Sequence, residues 1–347
     1  MITKKAFGKT NKGDAVTLYT IDNGLVRASV MDFGATLVSL ETKDRNGDFV
    51  DIVLGYDDAS GYDNDRGTYF GATVGRFANR IRNGIFKLNG EEYHLPLNNN
   101  GIHCLHGGID GFSFRMYDVE LGDDSISASI FSPDGEEGFP GNMRFTVKYT
   151  LKETSLFIEF FAKSDKDTIA SFTNHSYFNL NGGASGTTML NQVLTLNSDA
   201  VCEVDSDAFP TGVIMPVDNT VFDFRKGAVL GDRLGKQDKL LTKTADGIDN
   251  NFVLSMFDRD FKSAGKLYNP DNGIEVECLT DMPAVQIYTG GMTDTVGKKG
   301  APCKKFCGIC LETQEFPDAI NCSYVPSPIL KAGKDYYSKT VFKMGVK

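Results

Sequence analysis

The sequence predicts an all-β fold, a large antiparallel β-sandwich with few short helices. Dipeptides that favour turns with positive φ recur along the chain, among them Asn23-Gly24, Asn89-Gly90 and Asp134-Gly135. Short β-rich runs lie between these turns, and helical periodicity is nearly absent. Many short strands separated by turns, with no alternating helices, are typical of a sandwich or barrel and not of a parallel-sheet protein.

The strands are predicted where apolar and polar residues alternate or where β-branched and aromatic residues cluster. The clearest alternation runs from Met143 to Leu151, where odd positions are apolar and even positions polar, which is the period of a half-buried strand. In chain order, the predicted strands are residues 15–21, 25–31, 36–40, 85–97, 143–151, 156–162, 188–196, 274–279, 284–289 and 306–313. The best helix candidate is a short piece between Gly231 and Leu241.

Length, charge and composition restrict the functional class. The chain has 347 residues and a net charge of −10 at neutral pH, so it lacks the basic excess of a phosphate-backbone binder, and we expect no nucleic-acid partner. No window approaches the roughly 18 consecutive apolar residues of a membrane span, and no apolar run follows the charged start. No Pro-rich or Ser-rich linker interrupts the sequence. We therefore expect one domain over residues 1–347, in the cytoplasm, with no membrane and no obligate protein partner.

Seven cysteines in a long chain without a secretion signal are expected to be reduced thiols. Cys303, Cys307 and Cys310 have a C-x3-C-x2-C spacing, with Cys322 further on, and this spacing leaves zinc or an iron–sulfur cluster open. The favoured interpretation is a buried strand in which cysteine acts as a small hydrophobe. On that interpretation no metal site is predicted.

The four histidines are the first candidates for chemistry. His94 ends an alternating strand and is expected at the surface. His103 and His106 lie in a loop rich in Asn and Gly, where binding groups concentrate, although an incidental histidine in a glycine-rich turn has the same spacing. His175 lies in a strand-like segment, 171–182, that interleaves Asn, Ser and Thr with aromatic residues. Unsatisfied buried polar groups cost about 1 to 3 kcal/mol each, so this density indicates a site; a water-facing strand is the alternative.

Two acidic residues are further candidates. Strand alternation places Glu312 on one face with Cys310 and Gln314, in apolar surroundings where an acid is rarely left unpaired. A solvated acid on the outer face is the alternative. Asp249 is a weaker signal, because aspartate beside a turn is common.

One segment is rich in arginine, with Arg76, Arg80 and Arg82 close together. These side chains suit a solvated strand face, an anion site, or fixed donors for hydroxyl groups. The sequence contains no P-loop, Rossmann glycine pattern, His-Glu-x-x-His or Gly-x-Ser-x-Gly. Nucleotide hydrolysis, hydride transfer, zinc proteolysis and α/β-hydrolase chemistry are therefore disfavoured, and acid–base chemistry remains.

Six spaced segments occur in one order along the chain. They are residues 75–81 (GRFANRI), 105–108 (LHGG), 174–180 (NHSYFNL), 247–252 (GIDNNF), 285–289 (VQIYT) and 310–314 (CLETQ). On these segments the sequence resembles the aldose 1-epimerase (galactose mutarotase) family along nearly its whole length. Each segment alone is a weak signal, whereas six in order form a strong one.

The resemblance implies a large β-sandwich that binds a monosaccharide in an open cleft on one sheet. It implies that His175 is the general acid and Glu312 the general base in interconverting the α and β anomers of free aldoses, a step of hexose metabolism. The residues implied to hold the sugar hydroxyls and ring are Asn79, Arg80, His106, Asp249 and Gln286. The chain departs from the family pattern at Ile248, where Phe is frequent, and at Asn250, where His is frequent, which concerns local hydroxyl contacts.

The implied reaction opens and recloses the sugar ring. The base removes the C1 hydroxyl proton, the acid protonates the ring oxygen, the C1–C2 bond turns, and closure on the other carbonyl face gives the other anomer. Each proton transfer contributes about 10²- to 10⁴-fold, so no metal or cofactor is required. Glu312 must be ionised while His175 is protonated. Reference pKa values of about 4.3 and 6.5 predict a bell-shaped pH profile, which nearby carboxylates would extend upward.

Three other functions stay open. Glu312 and Asp249 are two carboxylates of the kind that a glycoside hydrolase uses. A sugar-binding sandwich without activity would keep affinity and exchange no anomers. An epimerase for sugar phosphates would use Arg76, Arg80 and Arg82 to bind the phosphate. The preferred aldose, the oligomeric state and the aromatic residues that stack on the sugar do not follow from the sequence.

Overall fold

The computed structural model describes residues 1–236, 238–241, 246–256 and 258–347. Three large sheets, all built from antiparallel strand pairs, hold most of the strands in these ranges. A five-stranded sheet follows chain order and consists of Ile2–Lys9, Ala15–Asp22, Val26–Met31, Thr36–Lys43 and Phe49–Asp51. A nine-stranded sheet has the order Asp118–Leu121, Ser125–Ser132, Met143–Lys152, Ser155–Ser164, Asp335–Val346, Ile274–Thr280, Lys262–Tyr268, Val193–Leu196 and Ala228–Val229. A six-stranded sheet has the order Tyr177–Phe178, Ile309–Gln314, Ala284–Tyr288, Asp249–Val253, Ala200–Val204 and Pro210–Pro216.

Short strand pairs and helices connect the sheets. The pairs are Thr73–Val74 with Thr173–Asn174, Arg80–Ile81 with Cys104–Leu105, Ile85–Leu88 with Glu91–His94, Thr168–Ile169 with Ile329–Leu330, and Thr295–Val296 with Pro302–Cys303. The described α-helices are Ala59–Asn64 and Leu230–Arg233, and the 3₁₀ turns are Arg82–Gly84, Phe112–Phe114, Glu136–Gly138, Lys298–Gly300 and Ala319–Asn321. None of these helices is long and apolar enough to span a membrane.

The nine-stranded and six-stranded sheets share one apolar core. Phe145, Ile158 and Phe342 enter it from the nine-stranded sheet, and Val285 and Ile309 enter it from the six-stranded sheet. Each sheet therefore buries one face against the other, which is the arrangement of a β-sandwich. The predicted fold class is confirmed, while the organisation of residues 1–347 as one domain stays a prediction.

The register of the six-stranded sheet decides which side chains reach its other face. Residues directly opposite one another on neighbouring strands project to the same side of a sheet. A first row across this sheet consists of Asn251, Gln286 and Glu312. A second row, two residues away along each strand, consists of Asp249, Tyr288, Cys310 and Tyr177. The alternate residues, such as Val285, Ile287 and Leu311, point into the core.

Several predicted element boundaries change for identifiable reasons. The run at 85–97 is a hairpin that turns at Asn89-Gly90, where both residues have positive φ. The run at 306–313 begins as a strand only at Ile309, because Phe306 has a φ of 65° and a strand cannot continue through that conformation. The predicted helix over 231–241 is wrong beyond Arg233, since Leu234 is extended and Gly235 has a φ of 70°. Residue 237 of that prediction lies outside the described residues.

Arg76 is a structural clamp and not part of an anion site. Its side chain is buried, and its guanidinium donates hydrogen bonds to the hydroxyl and carbonyl of Ser132 and to the carbonyls of Pro133, Pro140 and Gly141. Burial lowers the pKa of Arg76 to about 10, which keeps the side chain charged at neutral pH. The segment after Ser125–Ser132 is therefore fixed to the loop that carries Asn79 and Arg80.

We expect Arg76→Met to lower the free energy of unfolding by about 3 kcal/mol, because several buried carbonyls lose a charged donor at once. Urea denaturation followed by circular dichroism measures this change. The matched control is Arg144→Met, because Arg144 is exposed on Met143–Lys152 and its replacement should change stability by about 0.5 kcal/mol or less. Equal stability changes in the two variants would contradict the assignment of Arg76 as a clamp.

Candidate active site

A cleft of about 330 Å³ opens over the face of the six-stranded sheet that carries the two rows. Six of the seven predicted site residues line it, and these are Asn79, Arg80, His106, His175, Asp249 and Glu312. Gln286 does not line the cleft; its side chain is buried and its amide contacts Asp249. The structure thus brings all seven residues together, with Gln286 one layer deeper than the sequence analysis expects.

His175 and Glu312 meet at the floor of this cleft. His175 Nε2 lies 3.5 Å from Glu312 Oε1, and both side chains are almost completely buried. The backbone of His175 is held on two sides, because its N–H donates to the carbonyl of Ala72 and its own carbonyl accepts from the N–H of Gly71. Glu312 is fixed by its position inside Ile309–Gln314. Its Oε2 is buried and has no hydrogen-bond partner among the described residues, so it offers an acceptor to a ligand.

Burial dominates the ionisation of this pair. It lowers the pKa of His175 to about 4 and raises the pKa of Glu312 above its usual range. Asp249 does raise the pKa of His175, but less than burial lowers it. The expectation that neighbouring carboxylates extend the imidazolium state upward is therefore wrong for the free protein. Between the two pKa values the pair holds one proton, which either residue can carry.

Asp249 is held by a hydrogen bond to each of its two carboxylate oxygens. Arg80 Nη2 lies 3.3 Å from Oδ2, and Gln286 Nε2 donates to Oδ1 over 2.7 Å. Arg80 is itself oriented by Asn99, whose Oδ1 accepts from Nε over 3.2 Å. These contacts leave further lone pairs on the carboxylate and further N–H groups on the guanidinium for sugar hydroxyls.

Asn79 and His106 fix one another across the cleft wall. The His106 N–H donates to the Asn79 carbonyl, and the Asn79 N–H donates to His106 Nδ1 over 3.2 Å. Both residues have positive φ, 68° and 52°, a conformation that Asn and His adopt more readily than most residues. The next residue, Gly107, has no room for a side chain, because a Cβ there would lie 2.0 Å from the Gly75 carbonyl oxygen. With Nδ1 accepting, the proton of the neutral His106 ring lies on Nε2, which makes Nε2 a donor.

His106, His175 and Glu312 are also the described residues whose ligand atoms come close enough to suggest a metal ion, within 4.8 Å of one another. The donor set does not fit an ion. Nδ1 of His106 already accepts the Asn79 N–H, and the other nitrogen carries the proton, so neither has a free lone pair. Binding a metal would require breaking that hydrogen bond.

The other sequence candidates lie outside the cleft. His94 is exposed beside Glu92, as expected. His103 is buried, stacks on Phe209 and accepts the backbone N–H of Asn83, so its role is structural. The guanidinium of Arg82 lies over the same Phe209 ring. Neither Arg82 nor Arg76 therefore adds to a phosphate site with Arg80.

The cysteine spacing does not correspond to a metal site. Cys303, Cys307 and Cys310 are free thiols in the apolar surroundings that the favoured interpretation expects. Cys322 lies apart from that cluster, half-buried. Within the part of the chain that the structure describes, no three cysteines bring their sulfur atoms close enough together to hold an ion.

The two departures from the family pattern do not face the cleft. Ile248 is buried in the core between the sheets. Asn250 alternates with Asp249 and Asn251, so it points to the opposite face of the sheet, where its Nδ2 donates to the Cys202 carbonyl over 3.0 Å. Neither Ile248 nor Asn250 therefore alters the groups that the cleft offers to sugar hydroxyls.

Sequence reasoning missed three tyrosines that line the cleft, Tyr69, Tyr177 and Tyr288. Two of them carried a usable signal. Tyr177 belongs to the same polar and aromatic segment as His175, and Tyr288 lies two positions after Gln286 on the same strand face. Tyr69 carried none, since its position depends on a φ of 54° that the sequence does not reveal. Asn99, Met292 and Asp294 also line the cleft.

Comparison with known proteins agrees with this geometry. The family model described as aldose 1-epimerase matches residues 17–343. The chain is 38% identical to the human galactose mutarotase, over 99% of each chain, and 37% identical to the aldose 1-epimerase of Haemophilus influenzae, over 93% of each. The solved structure of an aldose epimerase homologue from C. elegans superposes with a TM-score of 0.87 at 32% identity, covering 95% of this chain and 98% of that one. The chain therefore belongs to the aldose 1-epimerase family.

Proposed function

We propose that this protein interconverts the α and β anomers of free aldoses such as glucose and galactose, with His175 and Glu312 exchanging protons with the sugar. The observation that supports this most directly is the 3.5 Å between His175 Nε2 and Glu312 Oε1 at the floor of the cleft. The C1 hydroxyl oxygen and the ring oxygen of an aldose are bonded to the same carbon. An acid and a base that serve both oxygens must therefore lie close together.

The proton balance of the reaction uses both charge states of the pair. To open the ring, the Glu312 carboxylate takes the C1 hydroxyl proton while the His175 imidazolium protonates the ring oxygen, and the C1–O5 bond breaks as the carbonyl forms. The pair is then neutral. After rotation about C1–C2, His175 takes the O5 proton, Glu312 returns a proton to the C1 oxygen, and the ring closes on the other face. Burial favours the neutral pair in the free protein, and the close approach of the two side chains lowers the cost of the charged pair that opens the ring.

The fixed polar groups of the cleft suit a neutral sugar. Asp249, Arg80 and the His106 Nε2–H supply acceptors and donors for hydroxyls, and the tyrosine rings supply apolar faces for its C–H groups. A sugar phosphate fits less well, because Arg80 is already paired with Asp249 and the wall also carries Asp65 and Asp294. A monosaccharide is the partner we propose, in the cytoplasm.

A glycoside hydrolase is less well supported. It needs a second carboxylate free to act as acid, base or nucleophile. Both oxygens of Asp249 are already engaged by Arg80 and Gln286, and the group that lies 3.5 Å from Glu312 Oε1 is an imidazole nitrogen and not a second carboxylate.

Polarimetry of freshly dissolved α-glucose and α-galactose tests the proposal. We expect the protein to accelerate the approach to anomeric equilibrium over buffer, with no release of reducing sugar from an aryl glycoside. Saturable sugar binding without acceleration would support a sugar-binding sandwich instead. Aryl glycoside cleavage would support a hydrolase, and preference for glucose 6-phosphate over glucose would support a sugar-phosphate epimerase.

The pH dependence of kcat/KM, which reports the free enzyme, should be bell-shaped because activity needs one proton on the pair. The acid limb is expected near pH 4, where His175 gains a second proton and no base remains. The alkaline limb is expected above the usual range of a glutamate, where Glu312 loses its proton and no acid remains. Polarimetric kcat/KM values across this range check the profile. A rate that stays constant through pH 4 would contradict it.

A further inference from the structure

We propose that Cys310 is a positioning residue for His175, because its thiol contacts Nδ1 of the imidazole and directs Nε2 toward Glu312 and the sugar. The inference rests on the proposed function and adds a residue to it. The Sγ atom lies 3.7 Å from His175 Nδ1, and Cys310 is fully buried. The contact has the length of a hydrogen bond that involves sulfur.

The sheet register places this thiol beside the catalytic pair. Cys310 precedes Glu312 by two residues on the same strand, so both side chains project to the cleft face. In the second row, Cys310 lies between Tyr177 and Tyr288, whose rings also pack near the imidazole. The strand Ile309–Gln314 therefore carries both Glu312, which faces His175 Nε2, and Cys310, which faces His175 Nδ1.

Thiol chemistry suits a histidine that must gain and lose a proton in every turnover. A thiol is a weak donor through S–H and a weak acceptor through sulfur. In the proposed cycle His175 gives and retakes its proton at Nε2, so both ring states carry Nδ1–H, and the sulfur accepts that N–H in each state. A carboxylate at the same place would accept Nδ1–H more strongly and favour the imidazolium. Burial raises the pKa of the Cys310 thiol well above its usual range, so the sulfur stays a neutral acceptor at working pH.

Other groups also face His175 and must be held constant in any test. Glu312 lies at Nε2, Asp249 acts through its charge, and the ring neighbours are His106, Tyr69, Tyr177 and Tyr288. The competing explanation for Cys310 is packing, because a buried cysteine also fills space as a small hydrophobe. The two explanations predict different effects of Cys310→Ser. A hydroxyl restores activity if residue 310 positions the imidazole, and it does not if residue 310 only fills space.

The test compares Cys310→Ala and Cys310→Ser with a matched control, Cys278→Ala. Cys278 is a fully buried thiol inside Ile274–Thr280, a strand of the other sheet. For Cys310→Ala we expect kcat to fall about tenfold with KM unchanged within about twofold, a fraction of the full effect of a proton-transfer group. For Cys310→Ser we expect most of kcat to return and the acid limb to move to higher pH, because a hydroxyl oxygen accepts Nδ1–H better than sulfur. Cys278→Ala should match wild type in kcat and in the position of the acid limb.

A second readout does not depend on turnover. The ¹⁵N chemical shifts of the His175 ring nitrogens, followed through a pH titration of the sugar-free protein, report which nitrogen carries the proton. We expect Cys310→Ala to change the proton distribution between Nδ1 and Nε2 and Cys278→Ala to leave it unchanged. Identical shifts and pH profiles in wild type and both Cys310 variants would overturn the inference and leave packing as the role. If wild type exchanges no anomers, the proposed function fails, while the shifts still decide whether the thiol positions the ring.

Discussion

Glu312→Gln is expected to lower kcat for anomer exchange by about 10³-fold, within the range of about 10² to 10⁴ that one positioned proton-transfer group contributes. The amide keeps the shape of the side chain and cannot take the C1 hydroxyl proton. The Oε2 position, which has no partner among the described residues, is the acceptor that the sugar would use. Polarimetry with α-galactose measures the loss, and titration calorimetry shows whether the variant still binds the sugar.

The matched control for this variant is Glu315→Gln. Glu315 is as deeply buried as Glu312 and follows the same strand, but it pairs with Arg259 and does not line the cleft. We expect its kcat to stay within about threefold of wild type, as for a substitution that touches no proton-transfer group. Comparable losses in the two variants would mean that Glu312 acts through stability and not as the base.

The nine-stranded sheet was partly predicted from sequence, because several of its strands alternate between apolar and polar residues. Met143–Lys152 is observed where the alternation predicted it. The long central strand Asp335–Val346 was missed, although it joins Ser155–Ser164 to Ile274–Thr280. Two of its inward-facing positions are Ser338 and Thr340, and hydroxyl residues there hide the alternation. A pattern of polarity cannot reveal a strand whose core face is itself partly polar.

The edge strand Ile2–Lys9 was missed for the opposite reason. Its side chains are mostly exposed, so no apolar face marks it, and several lysines place charge along the edge of the sheet. Such a strand is defined by its pairing with Ala15–Asp22, a long-range property that a local reading does not contain.

The site residues could be identified from sequence, whereas their arrangement could not. Ordered motifs indicated His175, Glu312 and Asp249 individually. The first and second rows exist only because four strands pair in one register, and a slip of one residue would turn every side chain of the slipped strand to the other face. Gln286 shows the consequence, because the same register places it behind Asp249 and not at the cleft surface.

The ionisation of His175 and Glu312 depends on burial, which a sequence does not reveal. Reference pKa values assume water around each group. Here both side chains are enclosed, and removal from water disfavours the charged form of each. The two shifts run in opposite directions, so in the free protein the single proton of the pair is favoured on Glu312 and not on His175.

His175→Asn is the second variant with a large expected effect, a fall in kcat of about 10³-fold, because no group remains to protonate the ring oxygen. The acid limb near pH 4 should also disappear, since that limb belongs to the imidazole. The matched control is His103→Asn, because His103 is buried and stacked on Phe209 outside the cleft. We expect the control to retain the rate and the acid limb. Retention of the acid limb in His175→Asn would assign it to another group.

Combining His175→Asn with Glu312→Gln distinguishes a working pair from two independent groups. If each residue acted alone, the two losses would multiply to about 10⁶-fold. In the cycle proposed here each half-reaction needs both groups, since one takes a proton while the other gives one. Residues that act as a unit lose little more together than singly. We therefore expect the double variant to fall no more than about tenfold below the weaker single variant, and polarimetry at high protein concentration measures the difference. A fully multiplicative loss would contradict paired proton exchange across the 3.5 Å between the two side chains.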